Sequence, residues 1–119
     1  MNLIQLIEMI KQHPDYPKVG MILCHNGVVR ATSRDGRQVS GLRIAVDLEK
    51  LQQVIASQKK RDGIVEILVH IHSDVDLKVG EDVMYIVVAG DIRENVISAL
   101  EDTLNIIKAT VTQKTQFFV

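Results

Sequence analysis

The sequence has a single cysteine, Cys24, among its 119 residues, so no intrachain disulfide can staple it. Its apolar runs are far too short to span a bilayer. The opening Met1-Asn2-Leu3-Ile4 is not a basic leader followed by an apolar stretch and a cleavage site, so the cytoplasm is the expected compartment. Charge of one sign is also lacking. With Lys+Arg 14 against Asp+Glu 15, the formal charge of -1 gives no bulk attraction to nucleic acid or to an anionic membrane. Any anion site must therefore be local. A phosphate-binding glycine loop, a nucleophile elbow, Cys-x-x-Cys and His-Glu-x-x-His are all missing, as are internal repeats and low-complexity segments.

What is present is a hydrophobic content of 46%, enough for one continuous core and one domain over residues 1–119. Leu3, Ile4, Leu6, Ile7 and Ile10 recur at helical spacing, and His13-Pro14 ends that helix. Val19 to Arg30 reads as a strand carrying Gly20 and Gly27, and Asp35-Gly36 is expected to reverse the chain into a second strand from Gln38 to Val46. Asp47 can cap a helix whose stripe is Leu48, Leu51, Val54 and Ile55, stopped by Asp62-Gly63. Ile64 to Ile71 is apolar enough to predict burial on both faces in mid-sheet, and Val83 to Ala89 is the next strand. Asp91 with Glu94 matches a capping box, opening a helix with the stripe Ile92, Val96, Ile97, Leu100, Leu104 and Ile107; Thr110 to Val119 closes the chain as a strand. The order β-β-α-β-β-α-β after the first helix predicts an α+β fold, a mixed or antiparallel sheet with packed helices.

Several residues have competing readings. His70 and His72 lie on one face of a strand and could present two metal ligands, but no third is evident and no metal is expected. Cys24 reads as a small buried hydrophobe. Asp74, Asp76, Glu81 and Asp82 do not have EF-hand spacing and read as a solvated turn. Arg34, Arg37 and Arg43 form a basic group around the Asp35-Gly36 turn. Lys108, near a helix end, could simply offset the helix dipole; Arg93, inside a first turn, is badly placed for that and fits a ligand or ion-pair role better. Arg30 alone reads as a strand-end surface residue, and Lys114 as a solvated one.

Three ordered stretches carry a resemblance. They are Gly20-Met21-Ile22-Leu23-Cys24-His25-Asn26-Gly27-Val28-Val29-Arg30; His72 followed by Asp76-Leu77-Lys78-Val79-Gly80-Glu81-Asp82; and Arg93 separated from Lys108 by one long helix. In this order they resemble the large subunit of molybdopterin synthase over roughly residues 19–118. The resemblance implies that family's α/β-hammerhead-like fold. It also implies transfer of sulfur from the C-terminal thiocarboxylate of a small ubiquitin-like subunit to a cyclic pterin phosphate precursor, in molybdenum cofactor biosynthesis. Such chemistry needs cations for the phosphate and for the carboxylate leaving group and oxyanions. By resemblance Lys108 and Lys114 are the catalytic candidates, Arg30 and Arg93 the substrate-binding ones, and no cofactor is expected.

The family pattern is not complete. Its histidine before the arginine is Ile92 here, its second lysine falls at Thr115 with Lys114 one place early, and Cys24-His25-Asn26 is unusually polar for the first long strand. Ala45-Val46-Asp47-Leu48 replaces the family's Tyr-Pro-Gly-Met-like segment, and the chain ends at Val119 without the family's tail. An offset of one residue in a strand turns a side chain to the other face, and only a bulge or local realignment would restore Lys114. Reduced activity is therefore expected, as is a homodimer covering the apolar end Phe117-Phe118-Val119. Arg93 and Lys108 lie about 22 Å apart along a straight helix, so a site using both would have to be shared between subunits. The alternatives are a non-catalytic dimeric module binding a small anionic ligand or a protein, or a purely structural dimerisation domain.

Overall fold

The computed structural model describes residues 1–119. The elements are α1 (Leu3–Lys11), a 3-10 turn (Tyr16–Lys18), β1 (Met21–Val28), β2 (Val39–Val46), α2 (Leu48–Lys59), β3 (Ile64–Ile71), β4 (Leu77–Lys78), β5 (Asp82–Gly90), α3 (Arg93–Ile106), a π-type turn (Ile107–Val111) and β6 (Thr112–Phe118). They form an α+β fold with two antiparallel three-stranded sheets, ordered β1-β5-β3 and β4-β2-β6. The expected element order holds, with β4 added in the segment read as a loop. No helix is long and apolar enough to cross a membrane.

The middle strand of the first sheet is β5, whose residues Val83 to Ala89 are all buried. Its alternating side chains supply two cores. Tyr85, Val87 and Ala89 pack with Leu6 and Ile10 of α1, whereas Val83, Met84, Ile86 and Val88 join Val96 and Ala99 of α3 and Leu42 and Ile44 of β2. The strand expected in mid-sheet, β3, is instead an edge, and most of its residues are only half-buried. An apolar run alone does not distinguish the two positions, because an edge strand under a helix also needs apolar side chains. β1 and β2 likewise do not form the expected hairpin: the chain does reverse, through Ser33–Arg37 and the Thr32–Gln38 bridge, but β1 pairs with β5 and β2 with β4 and β6.

The segment after β3 holds the sheets together. Asp74 N–H donates to the Ile44 carbonyl at 2.8 Å, Gly80 N–H to the Val29 carbonyl at 2.9 Å, and Val29 N–H to the Glu81 carbonyl at 2.9 Å. Leu77 is buried between these backbone links. Gly41 permits the approach, since a Cβ there would lie 2.3 Å from the Leu77 carbonyl oxygen, a backbone atom with little freedom to yield.

The helices differ from the expected stripes in a few places. α1 matches its expected bounds and is closed by a capping box between Asn2 and Gln5. Leu48 of α2 is exposed, while Leu51 is buried and Val54 and Ile55 are packed against the core. α3 buries Val96, Ala99 and Thr103, leaving Ile92 and Ile97 largely exposed. The expected Asp91–Glu94 capping box does not form: the N-cap is Ile92, without a side-chain cap. Asp91 remains attached to the sheet end, its N–H donating to the Gly63 carbonyl at 2.9 Å, so the helix starts one residue later. Its carboxylate instead accepts from Ile92 N–H at 2.7 Å and from Asn95 Nδ2 at 2.9 Å, and these bonds hold it below the usual aspartate pKa.

Because Ile86 is fully buried at the centre of β5, Ile86→Ala is expected to lower stability by about 2–5 kcal/mol in urea unfolding. The exposed helix position Glu101→Ala should stay within about 0.5 kcal/mol of the parent. Equal effects would contradict the central role of β5.

Candidate active site

Beyond α3 the chain passes through the π-type turn, a wide geometry that is uncommon and often found where function is concentrated. Ile107 and Val111 anchor the turn in the core, and Asp47 N–H donates to the Val111 carbonyl at 2.9 Å. Lys108 is thus held exposed on a turn whose two ends are buried. β6 then runs antiparallel to β2, with Thr112 opposite Val46, Lys114 opposite Ile44 and Gln116 opposite Leu42. Residues directly opposite share a face, so Thr112, Lys114 and Gln116 point to the side that carries the core residues Leu42 and Ile44. That is the side of Lys108.

The result is a cavity of ≈ 510 Å³ at the seam between the two sheets, its polar rim including Lys108, Lys114, Arg34, His25 and Asn26. It adjoins a second basin of ≈ 400 Å³ to which Lys108, Lys114 and Arg34 also belong, together with Arg30, Thr32 and Gln116. The two lysines therefore meet despite their shortened spacing: the turn and strand register put Lys114 on the inward face. Arg30 is held by its Nε donating to the Thr32 carbonyl at 2.9 Å.

No carboxylate lines either basin, and none of Lys108, Lys114, Arg30 and Arg34 forms an ion pair. The remaining sequence candidate lies elsewhere. Arg93 opens α3, is largely exposed and pairs with Glu94 at 3.3 Å. The whole of α3, about 20 Å at 1.5 Å per residue, separates it from the Lys108 turn of the same chain.

Two lining residues escaped the sequence reading. Arg34 was grouped with Arg37 and Arg43, but the three diverge: Arg34 lines the cavity, the Arg37 guanidinium sits 3.6 Å from the Phe118 ring centroid, and Arg43 pairs with Asp76 at 3.0 Å. His25 faces inward because it is opposite Ile86 in the β1–β5 ladder. Burial, and secondarily the charge of Lys108, push its pKa below the usual imidazole value, so it is neutral at pH 7. Its unusual polarity in an otherwise apolar strand was the only available signal.

The neighbouring residues Cys24 and Asn26 lie opposite Val87 and Tyr85, on the other face of the strand, although Asn26 still touches the cavity rim. Cys24 is half-buried near α1, with burial raising its thiol pKa. Asn26 Nδ2 donates to Asp82 Oδ1 at 3.1 Å, and the Tyr85 hydroxyl donates to Asp82 Oδ2 at 2.6 Å. These bonds hold the Asp82 carboxyl low and push the Tyr85 phenol up. His72 contacts the Asp82 carbonyl through Nδ1 at 2.7 Å, and the rings of His70, His72 and Tyr85 pack together. Burial first, then the charges of His72 and the N-terminus, lower the His70 pKa.

Comparisons with known proteins agree with this architecture. The family model for the MoaE protein matches residues 2–110. No curated protein matches the sequence. The fold is similar to molybdopterin synthase from Staphylococcus aureus, with TM-score 0.80 and 20% identity over 100% of this chain and 86% of that one. It is also similar to the complex of subunits 1 and 2 of molybdopterin-converting factor from Helicobacter pylori, with TM-score 0.71 and 17% identity over 100% and 84%. Molybdopterin cofactor biosynthesis protein E from Burkholderia multivorans gives TM-score 0.76 and 19% identity over 100% and 84%.

The depressed pKa values of His25 and His70 predict an acid-side loss of stability. Below about pH 6.5 the unfolded chain binds protons that the folded chain resists, so stability falls with pH until both folded-state imidazoles titrate. Thermal melts should show a lower midpoint at pH 5 than at pH 7, with the difference reduced in a His25→Gln, His70→Gln double variant. A midpoint independent of pH over this range would contradict it.

Proposed function

The chain belongs to the MoaE protein family, and on that premise we propose that it works in molybdenum cofactor biosynthesis as the large-subunit component of a molybdopterin synthase. The reaction is sulfur transfer from the C-terminal thiocarboxylate of a small ubiquitin-like partner to a cyclic pterin phosphate precursor, in the cytoplasm. The observation that carries this reading is the convergence of Lys108, Lys114, Arg30 and Arg34 on a seam without a carboxylate. Such a surface favours an anion, and both reactants are anionic. The two-subunit complex from Helicobacter pylori supports the partner, through a shared fold.

In this reading Arg30 and Arg34 bind the substrate phosphate by charge-assisted hydrogen bonds. Lys108, on the rigidly anchored turn, stabilises the oxyanion at the thiocarboxylate carbon and then the departing carboxylate; Lys114 assists from β6. Exposed Ile92, in place of the family histidine, removes one polar group from the machinery, and turnover weaker than that of an intact family member follows.

The second subunit has a defined role. β6 is an edge strand whose last residue, Phe118, and the Val119 that follows it are exposed, an unpaired edge with an apolar end suited to a second copy. In the homodimer, Arg93 of one subunit approaches Lys108 of the other and completes its anion site.

A reconstituted assay with a thiocarboxylated small subunit should show conversion of the pterin precursor. Lys108→Ala should reduce it by on the order of 10²-fold or more. Anion binding with no conversion would favour a non-catalytic binding module instead. Light scattering at micromolar concentration should give a dimer; a monomer would remove the shared site.

Subunit mixing tests that sharing directly. If each site takes Lys108 from one subunit and Arg93 from its partner, a dimer of Lys108→Ala with Arg93→Ala concentrates both defects in one site and leaves the other intact. Equal mixing with free exchange should then recover roughly a quarter of the parent activity from two inactive proteins. No recovery despite demonstrated exchange would place both residues in one subunit's site, and an Arg93→Ala dimer of parental activity would place Arg93 in none.

A further inference from the structure

The sequence departs from its family's pattern at Cys24-His25-Asn26, and the strand alternation turns the His25 side chain to the cavity face, opposite Ile86, while the Asn26 amide is engaged by Asp82 at the cavity rim. His25 lies on the inner face of β1 beside Gly27, where a Cβ would come within 3.3 Å of His25 Nε2. The glycine thus leaves the space that the imidazole uses. His25 makes no side-chain hydrogen bond within the chain, in contrast to His72, which is tied to the Asp82 carbonyl. The charged groups around its cavity are Lys108 from the π-type turn, Lys114 from β6 and Arg34 from the segment after β1, with no carboxylate among the lining residues. A histidine placed among cations, without a carboxylate to hold it protonated, is a proton acceptor at neutral pH.

We propose that His25 is a further catalytic residue of this chain: the general base for the water that frees the small partner from the transferred sulfur. This rests on the sulfur-transfer reading above. Once the thiocarboxylate sulfur has bonded to a pterin carbon, it bridges that carbon and the partner's carbonyl carbon as a thioester. Water oxygen then bonds to the carbonyl carbon while one water proton passes to a ring nitrogen of His25. The carbon–sulfur bond breaks with its electron pair going to sulfur, and the imidazolium returns the proton to that sulfur. The partner leaves as a carboxylic acid, which ionises to solvent, and sulfur remains on the pterin. No electrons are gained or lost overall.

Lys108 has a compatible part. Its charge stabilises the oxyanion formed when water adds, and it also lowers the proton affinity of His25, keeping the base free at neutral pH. The substituted family position, Ile92, lies before α3, so His25 supplies a proton-accepting group from a different element.

The test uses the full chain with its thiocarboxylated small partner. The parent is compared with His25→Gln, which keeps hydrogen-bonding capacity but cannot take the proton, and with His25→Ala with and without added imidazole. Folding of each variant is checked by thermal melt. Expected results are turnover lowered on the order of 10²-fold in His25→Gln, accumulation of the covalent partner–pterin adduct in single-turnover mass spectrometry, loss of the acid limb of the pH–rate profile, and recovery of His25→Ala by imidazole. Folded variants with parental rate and pH profile would overturn the role of His25 while leaving the sulfur-transfer reading intact. Slowed turnover without adduct accumulation or imidazole rescue would also overturn it, reducing His25 to a packing residue. A parent protein that binds its partner but yields no sulfurated pterin, with no adduct in His25→Gln either, would overturn the sulfur-transfer reading itself, and the base role with it.

Discussion

Burial of β5 on both faces is the constraint on which the rest of the molecule depends. A strand with Tyr85, Val87 and Ala89 on one side and Met84, Ile86 and Val88 on the other must be covered twice. α1 covers the first side. α3 and the second sheet cover the other, so the second sheet is fixed in place by hydrophobic contact before any polar group contributes. The backbone links from Asp74, Gly80 and Glu81 then set its position. The cavity follows from this geometry: it is the seam left where a flat inner face of β2 and β6 meets the end of β1, and the π-type turn closes one side of it.

Charge at that seam has a different logic from charge elsewhere in the chain. Arg43 pairs with Asp76, Lys59 with Glu66, and Arg61, just beyond α2, with Asp102 of α3. Those cations are neutralised within the chain. Lys108, Lys114, Arg30 and Arg34 are not, although the sequence has Asp+Glu 15 to offer. Like charges a few ångströms apart repel by on the order of 1 kcal/mol in water, and more where solvent is restricted. A fold that gathers four cations without a counter-charge accepts that repulsion, and a multiply charged anion would relieve it. The near-zero total charge conceals this, because composition averages over a distribution that only the fold resolves.

The parts legible in the sequence were those governed by local chemistry. α1 ends before His13-Pro14, α2 begins after Asp47, and β3 matches its expected bounds, because capping, proline and apolar runs act over a few residues. Pairing between distant strands was not legible: β3 and β5 are both apolar, and only the order β1-β5-β3 makes one central and the other an edge. The Asp91 cap failed for the same reason, since a hydrogen bond to Gly63, far away in sequence, keeps Asp91 at the sheet end. In the site, Lys108, Lys114 and Arg30 were identified by resemblance and do converge. Lys114 looked misplaced because it falls one residue before the family's lysine position, an offset that reverses the face in a strand, and the π-type turn that precedes β6 has no simple sequence signature.

The same parity explains how one short segment of β1 serves two environments. Cys24-His25-Asn26 is contiguous, but its residues alternate across the sheet. Asn26 reaches Asp82 and so joins the polar group of Tyr85 and His72 at the end of the α1 side, while His25 faces the cationic seam. Asp82 is bonded by both Asn26 and Tyr85, which fixes the end of β5 against the end of β1 at the point where the β1–β5 register shifts between Gly27 and Val28. That bulge falls among the cavity-lining residues of β1, between Gly27 and Val28. The polar group on one side of the sheet therefore anchors the backbone whose other side presents His25 and Gly27. A polar run that is costly in an apolar strand becomes intelligible when each of its side chains is followed to its own face: one residue holds the strand end, and its neighbour offers an unengaged imidazole to the site.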